Sequence, residues 1–457
     1  MKPTVIALLL FLTRSAWAQA EPALTADEVA GRAAATSFDV RARAEETAAA
    51  RAAVDRALAA YYPRLSGAAR YQRLSEIPTS TIGNLVAAPT AGPGPLPAGT
   101  PLVNVPLSFP ILLDSYTLSA TMQVPLSDYL LRLPQGHAAA KLGRRSAELT
   151  EQASQLRVAT DARVLYYSWL RARSQVTVAE QALEQARGHL ADARHAADAG
   201  AASKADVLRV ESQVASSELL VERTRNLAQL LEQQLRTAMH DESARSYVPG
   251  DSADGDVPAP DALPALWNEA FERRLELRAL AAAADAAREQ AKIARAGWFP
   301  RVDAVGDALY ANPNPRILPQ QDRFTGSWDL SLQLSWTPSD IPAATADKRG
   351  AEARGREIDA QRALAHDGVR IEVMQAHQAL QEARVATETT ARGLTAAEES
   401  YRVRRVLFQN GRATSVELTD AETELTRARL DALAARIDLH IASARLQHAV
   451  GRDIARN

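Results

Sequence analysis

Two halves of this chain can be laid over each other, and that internal repeat constrains the fold more than any other feature. Gly200-Ala201-Ala202-Ser203 through Asp206-Val207 matches Gly411-Arg412-Ala413-Thr414 through Glu417-Leu418. The same offset carries Val214 onto Leu425, Arg225 onto Arg436, Leu235 onto Leu446 and Ala238 onto Ala449. Upstream, Leu118-Ser119 and Ser127-Asp128 fall on Leu330-Ser331 and Ser339-Asp340, and Pro63-Arg64-Leu65 parallels Pro300-Arg301-Val302. Each half reads helix, strand, strand, long helix, turn, helix. The first repeat is expected over 19–240, with a helix at 25–60, strands at 63–73 and 115–125, and helices at 136–198 and 203–240. The second is expected over 265–451, with a helix at 265–297, strands at 300–310 and 327–337, and helices at 343–409 and 415–450. Residues 452–457 form a tail.

The helical segments carry a seven-residue period. After Gly411 one line runs Leu418, Leu425, Ala432, Leu439, Leu446, and a second runs Ala421, Ala428, Ala435, Ala442, Ala449. Together they fill a and d positions of a coiled coil, and the alanine line lets a neighbouring helix approach closely. Leu394, Tyr401 and Phe408 keep the same spacing on the preceding helix. Gly136 to Asp198 contains no proline and as one helix would extend roughly 95 Å. Helices of that length exceed the diameter of a compact domain, which points to a mainly α chain built of long hairpins. Asn410-Gly411 and Ala199-Gly200 supply the turn chemistry where each long helix reverses. Between the halves, Asp241 to Pro264 is rich in Asp, Gly, Pro and Ser and reads as an acidic, solvated linker.

Four short segments alternate with period two. Trp328, Leu330, Leu332, Leu334 and Trp336 interleave with Asp329, Ser331, Gln333 and Ser335, and Tyr116, Leu118, Ala120, Met122 and Val124 with Thr117, Ser119, Thr121 and Gln123. Weaker versions carry Leu65, Gly67, Ala69 and Tyr71 on one face, and Val302, Ala304, Gly306 and Ala308 opposite Asp303 and Asp307. An antiparallel sheet with one buried face uses the same alternation as a lipid-facing barrel wall with aromatic anchors. Combined with a signal sequence and the absence of any other core, the strands favour the membrane. Lys2, the apolar run Val5 to Leu12 and the small-x-small patterns Ala16-Trp17-Ala18 and Ala18-Gln19-Ala20 read as a signal peptide over 1–18, cleaved after 18 or 20. There is no cysteine to carry a lipid, so the chain is expected not to be lipidated, and contact with a membrane falls to the strands. Four strands cannot close, and an open edge is not tolerated in lipid, so several copies must complete a barrel. Two copies would fill their own interior with side chains, which sets three as the minimum for a pore. Asp303, Asp307, Asp329 and Gln333 would then face the pore; Tyr116, Leu118, Met122, Trp328, Leu330, Leu332, Leu334 and Trp336 would face lipid. Pro78 to Pro106 reads as a flexible extracellular loop.

The repeated turn G-x-x-s-x-x-[DE] followed by an Ala-rich heptad helix resembles the TolC family of outer-membrane efflux proteins. The resemblance rests most specifically on Asn410-Gly411 through Leu418-Thr419-Asp420-Ala421, on the closing Leu446 to Gly451, and on Tyr62-Pro63-Arg64-Leu65 and Phe299-Pro300-Arg301-Val302. It implies a homotrimer in which four strands per chain build a twelve-stranded transmembrane β-barrel on an α-barrel tunnel. It also places the linker 241–264 in the equatorial region. It further implies a periplasmic adaptor and an inner-membrane transporter engaging the tip turns at Gly200, Ser203, Asn410, Gly411, Arg412 and Thr414. In such a family Glu417 and Asp420 match the carboxylates that ring the closed aperture, with Asp206 at the equivalent place in the first half. The same acids also suit a helix N-terminus through its dipole. Two positions depart from the pattern. An arginine that bonds across to the neighbouring helices is replaced by Ala413, beside Arg412, and Phe408 lacks the hydroxyl of a second latch residue. The closed-state latch is therefore expected to differ.

The implied function is the outer-membrane channel-tunnel subunit of a tripartite efflux or type I secretion system. A soluble periplasmic coiled-coil adaptor or scaffold is the competing reading, and the same fold could serve heavy-metal cation efflux. No catalytic constellation, phosphate loop or metal-ligand spacing is found in the sequence, so no enzyme activity, cofactor or metal is expected. His189 and His195 are out of helical phase for a shared ligand. The net charge of −2 gives no reason to expect nucleic-acid binding.

Overall fold

The computed structural model describes residues 23–76, 84–88, 94–106, 112–200, 202–243, 246–252 and 255–452. The expected signal segment and most of the C-terminal tail lie outside the described residues. The elements run β1 (Ala23–Leu24), α1 (Ala26–Thr36), α2 (Phe38–Ala59), β2 (Arg64–Arg73), β3 (Asn84–Ala87), β4 (Val103–Pro106) and β5 (Asp114–Val124). Next come α3 (Asp128–Leu131), α4 (Leu133–Asp198), α5 (Lys204–Met239), β6 (Val248–Pro249), α6 (Leu263–Arg273) and α7 (Leu275–Arg295). Strands β7 (Arg301–Asn312) and β8 (Thr325–Ser335) and helices α8 (Ile341–Gln409) and α9 (Ser415–Val450) complete the chain. Among the described residues no helix is long and apolar enough to cross a membrane.

The chain divides into two compact units, and the boundaries fall inside α2, α4, α7 and α8. The first unit comprises Met1–Thr47, Ser146–Leu280 and Ala360–Asn457. Here the sequence repeat is visible in the structure. Helices α5 and α9 are each 36 residues long, each begins with a reciprocal capping box, and each ends at a left-handed residue, His240 and Gly451. The short helices α1 and α6, 11 residues each, pack against α5 and α9 respectively. Val29 and Ala33 of α1 share a core with Tyr166, Trp169, Leu235 and Met239. Leu266 and Ala270 of α6 share a second core with Val373, Leu446 and Val450. Burial of each large side chain in these cores contributes about 1.5–3 kcal/mol.

Three expectations are corrected in this unit. A single helix over 25–60 is broken at Ser37, whose ψ of 129° leaves the helical region. Its N–H closes α1 on the Ala33 carbonyl, while its hydroxyl accepts from Val40 N–H at the start of α2. A single helix over 265–297 is broken in the same way at Arg274, with ψ 119°. Each break frees a short helix to lie against the last turns of α5 or α9. Most described residues of the acidic segment 241–264 are exposed, as expected, but the segment is docked at two points. Tyr247 is 1% exposed and Val257 is buried in the second core. β6 pairs in parallel with β1, and Asp251 accepts the Ala26 N–H at the head of α1 at 2.7 Å. Asp251 thus caps α1, and Asp241 accepts from the buried Tyr247 hydroxyl.

The second unit comprises Ala48–Arg145 and Ala281–Asp359. It holds an antiparallel four-stranded sheet in the order β2-β5-β7-β8. Strands from the two sequence halves are therefore neighbours at its centre. The Pro- and Gly-rich segment between β2 and β5 is not wholly irregular, because β3 and β4 pair within it from Asn84↔Pro106 to Ala87↔Val103.

Candidate functional site

Strand register decides what the sheet presents. Leu65 lies opposite Met122, Met122 opposite Gly306, and Gly306 opposite Leu330. Tyr71 faces Tyr116, Leu118 faces Tyr310, Ala308 faces Trp328, Ala304 faces Leu332 and Val302 faces Leu334. Because partners across a ladder share a face, all four apolar alternations fall on one side of the sheet. That side is exposed: Leu65 is 77%, Trp328 76%, Leu330 73% and Leu332 74% accessible. Tyr116, Leu118, Met122 and Leu334 are exposed on it too, and Trp336 stands exposed just past the end of β8. A large contiguous apolar face turned outward marks an interaction surface.

The opposite face carries Thr117, Thr121, Gln123, Asp303, Asp307, Asp329 and Gln333, together with Arg64, Arg70 and Arg301. The four predicted pore-facing residues share this side but differ in state. Thr121 donates to Asp307, and Arg316 donates to Asp329 at 2.6 Å. Gln333 is exposed. Asp303 is 4% exposed and accepts from Arg301 Nε at 3.2 Å; the same guanidinium reaches Asp128 at 3.2 Å. Arg301 thus fastens the base of β7 to α3, and the buried Asp303 holds its guanidinium in place. The outer sides of β2 and β8 have no strand partner among the described residues.

The predicted tip residues occupy the two turns of the helical unit. Gly200 and Gly411 are left-handed, with φ of 73° and 70°, a conformation that favours glycine. Arg412 N–H bonds the Leu407 carbonyl and Gly411 N–H the Phe408 carbonyl, and the Asn410 amide donates to the Val406 carbonyl. Helices α5 and α9 then restart from Ser203 and Thr414. Asp206 Oδ2 accepts from Ser203 N–H at 3.1 Å and Ser203 Oγ at 2.7 Å. Glu417 Oε2 accepts from Thr414 N–H at 2.8 Å and Thr414 Oγ1 at 3.2 Å. These donors hold both carboxyls below their usual range. The two turns border an open cavity lined by Asp192, His195, Asp206, Phe408, Arg412 and Glu417. Asp420 is exposed, and neither it nor Arg412 has a side-chain partner among the described residues.

One cluster escaped the sequence reading. His189 of α4 is 3% exposed. Its Nδ1 lies 3.1 Å from Glu422 Oε2, its Nε2 3.1 Å from Ser415 Oγ, and its ring meets Phe408 edge-on at 5.1 Å. The signal was phase: Ala179, Ala182, Ala186, His189 and Ala193 form one 3-4 spaced seam, all of it buried. Ser415, Leu418, Glu422 and Leu425 form another on α9. A histidine and a glutamate within two apolar seams are placed to meet.

The sequence profile of the outer membrane efflux protein family matches residues 29–239 and 266–452. No curated protein matches the chain. Among solved structures, the outer-membrane channel OprN aligns with a TM-score of 0.75 at 19% identity, over 94% of this chain and 90% of its own. CusC, studied for the conformational changes accompanying folding and transmembrane channel formation, aligns with a TM-score of 0.76 at 17% identity, over 94% and 92%. The open state of the Neisseria gonorrhoeae MtrE outer membrane channel aligns with a TM-score of 0.75 at 16% identity, over 94% and 90%. At these identities the likeness is one of fold, while the family profile covers most of the chain. The protein belongs to the outer membrane efflux protein family.

Proposed function

We propose that this chain is one subunit of a homotrimeric channel-tunnel in the bacterial outer membrane, with its helical unit in the periplasm. It passes substrates from an inner-membrane transporter and a periplasmic adaptor to the exterior, in a tripartite efflux or type I secretion system. The observation that carries the reading is the four-stranded sheet, with one exposed apolar face and two unpaired outer strands. A sheet of that kind is unstable alone in lipid and stable once copies join β8 to β2 around a ring. Three copies make a twelve-stranded barrel with the polar face inward and Asp307, Asp329 and Gln333 along the pore. The tip turns, with Gly200, Ser203, Asn410, Gly411, Arg412 and Thr414, are the adaptor contact. Asp420 with Glu417 and Asp206 brings negative charge to the periplasmic aperture.

Fractionation tests the reading. The protein should resist carbonate extraction with the outer membrane, and should migrate as a compact trimer unless boiled. Recovery as a monomer in the soluble periplasm would instead favour the adaptor or scaffold reading.

A further inference from the structure

We propose that His189, Ser415 and Glu422 form a latch that fastens the α8–α9 turn to α4 and so restrains opening at the aperture end of the chain. The proposal rests on the channel reading above for what the aperture does. The fastening itself rests on geometry.

Ser415 and Glu422 stand one heptad apart on α9 and bracket the His189 ring from its two nitrogens. A neutral imidazole protonated at Nδ1 donates to the Glu422 carboxylate and accepts from the Ser415 hydroxyl, so the three polar groups satisfy one another. Ser415 is 6% and Glu422 5% exposed, so water cannot replace either bond cheaply. Rotation or sliding of α9 by one residue would break both bonds together and leave a buried carboxylate unpaired. Such an arrangement has discrete engaged and released states, because intermediate positions satisfy neither nitrogen.

The third helix is tied by Phe408. It sits in the last turn of α8, edge-on to the His189 ring, two residues before the reversal at Asn410-Gly411. Tyr401, one heptad earlier on α8, has its phenol pushed up by burial and by the Glu422 carboxylate. One imidazole in an alanine seam thereby sets the position of α8 and α9 against α4. Arg412, the nearer candidate by sequence, makes no such connection among the described residues.

The test is amide hydrogen exchange and planar-bilayer conductance on the purified full-length protein and its variants. Glu422→Ala and His189→Ala should speed exchange at 185–198 and 415–422 by about tenfold or more, and raise closed-state conductance. Glu422→Gln keeps an acceptor for Nδ1–H and should stay close to wild type. Ser415→Ala removes one bond without stranding a charge and should give an intermediate effect even if the alanine variants fold poorly. The double variant His189→Leu/Glu422→Leu restores an apolar seam without the bonds and should remain leaky. A double variant as closed as wild type would mean that packing alone holds the tip, and would overturn the latch. So would unchanged exchange in both alanine variants, or faster exchange with wild-type conductance. Exchange is read independently of conductance, so a wild-type protein that forms no channel overturns the channel reading and not the fastening.

Discussion

Asp206 and Glu417 hold the same position, the third residue of two 36-residue helices, and each carboxylate turns back to accept the N–H and hydroxyl of its own N-cap, Ser203 or Thr414. Both are therefore committed to starting a helix, and the dipole there favours their charge as well. Asp420, one turn further along α9, is exposed without a partner among the described residues.

The first prediction separates those roles. If three copies surround an aperture, Asp420→Asn should weaken block by a divalent cation on the order of tenfold with no loss of thermal stability. Thr414→Ala should cost about 1 kcal/mol through the lost cap and leave cation block largely unchanged. Titration of single-channel block with magnesium, beside thermal melts, checks both. Equal block in Asp420→Asn and wild type would remove Asp420 from the gate.

The Tyr247–Asp241 bond predicts an acid-sensitive and a base-sensitive anchor. The Tyr247 hydroxyl, followed by Ser243 N–H, holds Asp241 at about 2, below its ordinary 3.8. Burial and then the bond to Asp241 push Tyr247 up to about 12. For a depressed carboxyl, the stabilisation is complete above pH 4 and is lost as pH falls towards 2. For a raised phenol, it is complete below pH 10 and is lost as pH rises towards 12. Melting temperatures across pH 2–4 and 10–12 should fall more in wild type than in Tyr247→Phe, which should itself be about 1–2 kcal/mol less stable at neutral pH. Parallel curves for the two proteins would count against the bond.

These anchors show where the sequence was readable and where it was not. Strand β8 was expected at 327–337 and runs Thr325–Ser335; β5 was expected at 115–125 and runs Asp114–Val124. Period-two alternation is a local signal and survives in a single sequence. The breaks at Ser37 and Arg274 have no proline or glycine to mark them, and the packing of α1 on α5 and of α6 on α9 that goes with them joins residues far apart in sequence. Segment 241–264 reads as solvated by composition, since composition does not reveal that Tyr247 is buried or that Asp251 caps a helix. His189 was weighed only against His195 on its own helix, whereas its partner Glu422 lies in the other repeat.

The sheet makes an asymmetric prediction. Leu332 and Gln333 are adjacent in sequence on opposite faces of β8. On the channel reading, Leu332→Arg places a charge in lipid, at about 2–4 kcal/mol near the bilayer midplane, and Gln333→Arg places the same charge in water. Heat-modifiable trimer recovered from the outer membrane should fall sharply for Leu332→Arg and little for Gln333→Arg. Equal loss in both would argue that the two faces share one environment.

Arg274 supplies the final prediction, because its bonds can be ranked. The side chain is 9% exposed and reaches Glu276, Glu372 and the His448 and Ala449 carbonyls at the end of α9. Its carboxylate partners are 40% and 42% exposed, so each would be rehydrated if the arginine were removed. The His448 carbonyl keeps the Gly451 N–H at 2.9 Å, but the buried Ala449 carbonyl would lose its donor, and an unsatisfied buried acceptor costs about 1–3 kcal/mol. Arg274→Ala should therefore destabilise the helical unit by about that amount, while Glu276→Gln and Glu372→Gln together should cost less than about 1 kcal/mol. Arg274→Lys should recover only part of the loss, because one ammonium cannot serve the carboxylates and carbonyls that the planar fork reaches at once. Denaturant unfolding followed by helical signal orders the variants. A glutamine pair as damaging as Arg274→Ala would show that the ion pairs, not the helix end, are what Arg274 maintains.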